Sequence, residues 1–102
     1  MGFGNLAKMA QQMQAEMARV QAELDVLTVE GSAGGGAVRA TASGKQELLA
    51  IAIDPEVVDP ADVEMLQDLV MAAVNDALNA AKSEAEQRMS AVTGGLRLPG
   101  IG

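Results

Sequence analysis

Between residues 27 and 54 the chain reads LTVEGSAGGGAVRATASGKQELLAIAID, its only stretch with a β pattern, and a long helical pattern stands on each side of it. A short sheet flanked in sequence by two long helices has few ways to bury itself, so this stretch constrains the fold most. Val38-Arg39-Ala40-Thr41-Ala42-Ser43 alternates apolar with polar, and Leu49, Ile51 and Ile53 alternate with alanine. Successive strand side chains point to opposite faces, so each alternating set lies on one face. Leu27-Thr28-Val29-Glu30 is a third, shorter strand candidate. Ser43-Gly44-Lys45-Gln46 reads as a tight turn with Gly44 at positive φ, and Gly31 with Gly34-Gly35-Gly36 as a looser one. The pattern predicts a three-stranded antiparallel meander.

The first helical pattern places Leu6, Met9, Met13, Met17, Val20, Leu24 and Leu27 at steps of three or four residues. That is a near-heptad seam, the spacing by which two helices pack along each other. Asn5 is positioned to cap this helix. After the third strand, Asp54-Pro55 ends the ladder because proline has no N–H to donate. Asp59-Pro60-Ala61-Asp62 then reads as a helix start, with Asp59 as the cap, Pro60 in the first helical position and Asp62 facing the positive end of the dipole. Leu66, Leu69, Val70, Ala73, Val74, Ala77, Leu78, Ala81 and Ala85 continue at helical spacing until Thr93-Gly94-Gly95. The expected organisation is one α+β domain over residues 1–93, an α-β-β-β-α protomer, followed by a flexible tail over 94–102.

Lengths carry this further. About 22 residues of first helix make roughly 33 Å and about 30 of second helix roughly 45 Å, against roughly 23 Å for a seven-residue strand. The helices must overhang the sheet and carry apolar seams into water unless something covers them. Leu48, Ala50 and Ala52 make the other sheet face apolar too, and such sheets are usually covered on both sides. A homodimer is the simplest cover, with Met13, Met17, Val20, Leu24, Leu49, Ile51 and Ile53 as its dimer or core residues.

The chain has neither histidine nor cysteine. Imidazole bases, His- or Cys-ligated metals, thiol nucleophiles and disulfides are excluded with them. Gly34 to Gly36 lacks the Lys-Ser or Lys-Thr of a phosphate loop. Asp54, Glu56, Asp59 and Asp62 fit helix capping better than an oxygen-ligand metal site. No catalytic residue, metal, cofactor or small-molecule substrate is expected, and the chain is not read as an enzyme. Without a membrane-length apolar run or secretory features, it is expected in the cytoplasm, away from membranes. Residues 1–45 balance four cations with four anions, and the whole net charge of −7 falls on the remainder. A polyanionic partner would therefore meet the N-terminal half or the cation Arg97.

These pieces assemble into a resemblance. Asn5-Leu6 with Met9, Gln12 and Met13, then Val29-Glu30-Gly31, Gly36-Ala37-Val38, Gly44-Lys45 and Ile53-Asp54-Pro55, follow one another in order. Met65-Leu66-Gln67-Asp68-Leu69-Val70, Thr93-Gly94-Gly95-Leu96 and Leu98-Pro99-Gly100 complete the series. Their order and spacing resemble the YbaB/EbfC family of small bacterial nucleoid-associated proteins. The resemblance implies a tweezer-like homodimer that binds double-stranded DNA with limited sequence preference, through surfaces at the helix ends. It makes Lys8, Arg19, Arg88 and Arg97 the candidate phosphate contacts. Lys8 and Arg19 are 11 residues apart, so they fall within roughly 20° of each other around the helix. The first helix holds only these two cations where family members often carry more lysine. The alternative is a protein-interaction module or scaffold that docks a partner on the overhanging helices.

Overall fold

Glycine and alanine decide how the long helix meets the sheet. The structure, a computed structural model, describes the backbone of residues 2–94 and the side chains of residues 4–92. Its order is α1 (Gly2–Val26), β1 (Thr28–Ala33), β2 (Val38–Ser43), β3 (Leu48–Ile53), a 3-10 turn (Pro55–Val57) and α2 (Val63–Gly94). This is the expected α-β-β-β-α arrangement, with an antiparallel sheet in the order β1-β2-β3. The tail expected from residue 94 lies, beyond Gly94 itself, outside the described residues, and so does Arg97.

β1 runs three residues past Glu30 and takes Gly31 into the strand. A Cβ on Gly31 would sit 2.1 Å from the Ala77 nitrogen and 2.7 Å from the Ala73 oxygen. The backbone of α2 therefore rests directly on β1. Around this contact Val38, Ala40 and Ala42 of β2 meet Ala73, Ala77 and Ala81 of α2, all fully buried. The first turn is Gly34 to Ala37, with three consecutive glycines at positive φ, a run of left-handed residues that side chains would strain.

Pairing register fixes the faces. Gly31, Ala40 and Ile51 lie across from one another, as do Ala33, Val38 and Ile53, and these form the face beneath α2. The opposite face carries Glu30, Thr41 and Ala50, then Ser32, Arg39 and Ala52. It is mixed rather than apolar, which corrects the expectation of a sheet greasy on both sides: Ala50 and Ala52 have polar neighbours on β2. A bulge between the pairs Thr41–Ala50 and Ala42–Leu48 inserts Leu49 as an extra residue, so its alternation with Ile51 and Ile53 is broken. α2 lies over β1 and β2. On β3, Leu48, Leu49, Ile51 and Ile53 stay 39–54% exposed.

Three local expectations change. Asn5 is inside α1, not at its cap, because the helix extends back to Gly2. Asp59 instead closes a turn, accepting the Ala61 N–H at 2.9 Å, and Asp62 caps α2 by accepting the Met65 N–H at 3.1 Å. In the second turn the positive φ belongs to Gln46, at 61°. Gly44 is small for another reason: a Cβ there would lie 2.7 Å from the Leu24 carbonyl oxygen, so the turn docks on α1. Ser43 Oγ stitches that turn by accepting the N–H groups of Lys45 and Glu47, each at 3.2 Å.

A second cluster joins the helices beyond the sheet. Val20, Leu24 and Val92 are buried, with Met13, Met17, Leu27, Ala85 and Met89 packed around them. The seam of α1 is thus covered over most of its length by α2 of the same chain.

Candidate nucleic-acid interface

α1 leaves the sheet at Leu24, beside Gly44, and passes Val92 at Val20. α2 runs the other way, from Leu69 at the glycine turn, past Gly31 at Ala77, to Val92. The two helices form an antiparallel arm, and α1 outruns α2 at its tip. Lys8 lies 12 residues before Val20, roughly 18 Å farther out. The molecule measures 73 × 28 × 16 Å with a radius of gyration of 19.8 Å, against about 13 Å for a compact chain of this size.

The candidate cations occupy unlike surroundings along this arm. Arg19 is clasped by two carboxylates of its own helix, Glu16 and, at 2.7 Å, Glu23. The Glu16 hydrogen bond and charge, then Glu23, raise the pKa of its guanidinium, so its positive charge is fixed. Arg88 reaches across from α2 to the second oxygen of Glu23 at 3.0 Å and also holds Glu84 at 3.1 Å. Glu16, Arg19, Glu23, Arg88 and Glu84 form one chain of contacts carrying two positive and three negative charges. Arg19 and Arg88 are brought together, but with their charge already answered. Lys8 has no ion pair among the described residues, and neither do Arg39 and Lys82, while Lys45 pairs with Asp25 at 2.7 Å.

Helical spacing carries the signal for this difference. Acids three and four residues away are neighbours on a helix. Arg19 has Glu16 and Glu23 at those positions, and Arg88 has Glu84, whereas Lys8 has Gly4, Asn5, Gln11 and Gln12. Reading 11-residue spacing alone joined Lys8 to Arg19 and missed that one of them is compensated. Lys82, exposed on α2 and without an ion pair among the described residues, is not among the candidate contacts because it stands in the acidic half.

The opposite pole is acidic. Asp54, Glu56, Asp59, Asp62, Glu64 and Asp68 gather where β3 ends and α2 begins, with no cation among residues 54–68. Their oxygens cap: Asp54 accepts the Glu56 N–H at 3.0 Å, beside the Asp59 and Asp62 caps already described. Among the described residues no group of acids is arranged to hold a metal ion, and no described helix is long and apolar enough to cross a membrane. Charge therefore changes along the long axis, from an anionic sheet pole, through a joint with one negative charge in excess, to Lys8 near the tip, the one cation there among the described residues.

Known proteins resemble the chain over nearly its whole length. The sequence profile of the YbaB/EbfC DNA-binding family matches residues 1–96. A nucleoid-associated protein of Moorella thermoacetica is 56% identical over 104 residues, covering 99% of this chain and all of that one. A nucleoid-associated protein of Clostridium novyi is 54% identical over 101 residues, covering 99% of this chain and 89% of its own length. Among solved structures, an uncharacterized protein of Helicobacter pylori superposes with a TM-score of 0.73 at 26% identity, over 95% of this chain and 99% of that one.

Proposed function

The chain belongs to the YbaB/EbfC DNA-binding family, and on that premise we propose that it binds double-stranded DNA as a nucleoid-associated homodimer, through the tips of its helical arms. That family is one of DNA-binding proteins, not of enzymes. The observation that carries the reading is the charge gradient along the long axis. DNA is repelled by the sheet pole and, along the arm, meets an unpaired cation away from the acidic half where α1 projects beyond α2, at Lys8. Lys8 is the principal phosphate contact and Arg97, which follows α2 in sequence, its companion. Arg19 and Arg88 contribute as their shared carboxylate yields to a phosphate. Contacts of this kind position a duplex without reading bases, which supports limited sequence preference. With Phe3 as the one aromatic residue, the chain has no platform for stacking single strands.

The exposed β3 supports the homodimer. It is an edge strand with four large apolar side chains in the open, a combination that soluble proteins ordinarily cover. A second copy placed there by two-fold symmetry covers both edges at once and leaves two arms projecting as tweezers. Leu49, Ile51 and Ile53 lie in this contact. Met13, Met17, Val20 and Leu24 serve within the arm instead.

Binding of a labelled duplex, followed by anisotropy across a salt series, tests the proposal. With roughly 4 to 6 phosphate contacts per dimer, log K falls against log salt with a slope of about −4 to −5. Lys8→Ala removes one contact per arm, which flattens the slope by about 1.8 and weakens binding on the order of 50-fold at 0.1 M salt. A variant that keeps wild-type affinity and slope refutes the arm-tip assignment. In sedimentation at micromolar concentration, the unchanged chain runs as a dimer and Ile51→Asp as a folded monomer. A wild-type monomer overturns the assembly.

A further inference from the structure

Each end of the molecule leaves apolar side chains in water, and the two ends differ in charge. At the sheet pole the glycine turn and the first turns of α2 enclose an open groove of about 590 Å³, with Ala33 of β1 in its floor. Met65, Leu69 and Ala72 give it an apolar wall, and Asp62, Glu64 and Asp68 line it with carboxylates. None of these acids has a cationic partner among the described residues. At the arm tip Leu6 and Met9 are 62% and 48% exposed, beyond the part of the α1 seam that α2 covers. Lys8 stands about 100° around the helix from Met9, and no acid precedes Glu16 in the chain.

We propose that this groove takes the arm tip of a second copy, with Leu6 and Met9 against Met65 and Leu69, and Lys8 facing Glu64 and Asp68. The tip needs a cover that its own α2 does not supply, and the pliable thioethers of Met9 and Met65 adapt to each other. Charge selects the same pairing. Tip on tip sets lysine against lysine, and groove on groove sets carboxylates against carboxylates, so only tip in groove brings opposite charges together. The net charge of −7 does not forbid the contact. At roughly 0.1 M salt, forces between charges fade over about 10 Å, whereas the molecule is 73 Å long. That length also keeps a chain's tip from its own groove, so the contact joins two copies. The groove lies beside β1, at the edge of the sheet away from β3, and a dimer built on β3 leaves it open. Because the contact joins unlike surfaces, each added copy presents a fresh tip and a fresh groove, and association continues as an open chain. A tip so held is withheld from DNA; only this last consequence rests on the DNA reading, and the docking itself does not.

Sedimentation of the full chain, with no nucleic acid present, tests the docking. At roughly 0.05 M salt the weight-average mass of the unchanged chain is expected to rise with concentration beyond the dimer, and at about 0.5 M salt to return to it. Lys8→Glu alone, or Glu64→Lys with Asp68→Lys, should shift this growth to concentrations on the order of tenfold higher, since like charges then face each other across the contact. All three positions are exposed, so folding is not at stake. Combining the three changes in one chain should restore growth, because a reversed tip then meets a reversed groove. Leu6→Gln with Met9→Gln keeps every charge in place and should suppress growth as strongly as Lys8→Glu. An unchanged chain whose mass at low salt stays at the dimer whatever its concentration overturns the proposal. So does a triple variant that fails to regain growth. A glutamine pair that grows like the unchanged chain overturns it as well, by reducing the association to diffuse attraction between charges.

Discussion

α2 makes two long contacts, and they are built on opposite plans. Against the sheet it uses Ala73, Ala77 and Ala81 on Gly31, Val38, Ala40 and Ala42, with backbone nearly touching backbone. Against α1 it uses Ala85, Met89 and Val92 on Met13, Met17, Val20 and Leu24. Small residues permit one separation and little adjustment, because a close-packed interior without spare volume transmits any added atom as displacement. Methionine-rich contacts re-pack at low cost. The difference assigns roles along one helix: the sheet end fixes where the arm starts, and the arm end can adjust its packing.

The largest effect should come from the smallest addition. Gly31→Ala puts a methyl group within 2.1 Å of the Ala77 nitrogen, where only a shift of the helix gives relief. Overpacking of this kind costs about 3 kcal/mol or more here, at or above the usual range, read as a fall in thermal or denaturant midpoint. Leu24→Ala instead deletes buried atoms from the arm. Core leucine truncations cost about 2–5 kcal/mol, and neighbouring methionines able to fill the space should hold this one near 2. If adding one carbon at Gly31 proves milder than removing three at Leu24, the rigid and adaptable ends have been assigned the wrong way round.

How much of this was readable beforehand follows the same division. Period-two alternation located β2, and near-heptad spacing located the arm seam, because each pattern is a direct imprint of which face is buried. In sequence Gly31 reads as a turn residue and Gly44 as one at positive φ, since glycine's conformational freedom is visible in a sequence whereas a close approach by a helix 46 or 20 residues away is not. The expectation that an overhanging seam requires a second chain failed for Val20 and Leu24 for a related reason. Nothing local says that α2 doubles back along α1. The start of α2 was misplaced by three residues because Asp59 and Asp62 are both good caps, and a turn through Pro60 separates them. Among the cations, the pairing of Arg19 was available from its flanking glutamates. Its link through Glu23 to Arg88, 65 positions away, was not.

The joint between those helices gives the smallest stability change and the most telling one for function. Glu23 answers both Arg19 and Arg88, yet all three side chains are a third or more exposed, so solvent screens the pairs. Glu23→Gln should cost at most about 1 kcal/mol. The same change removes one negative charge from each arm and leaves two guanidiniums with fewer competitors for a phosphate. If the arm grips DNA, affinity should rise several-fold, on the order of one additional phosphate contact per dimer, and the salt dependence should steepen. Glu84→Gln, which relieves Arg88 alone, should act in the same direction and less strongly. A Glu23→Gln protein with ordinary stability and unchanged or weaker duplex binding would place Arg19 and Arg88 outside the interface, as a clasp that sets the arm's shape. Lys8 and the residues after Gly94 would then have to carry the contact, and DNA would engage only the first turns of α1.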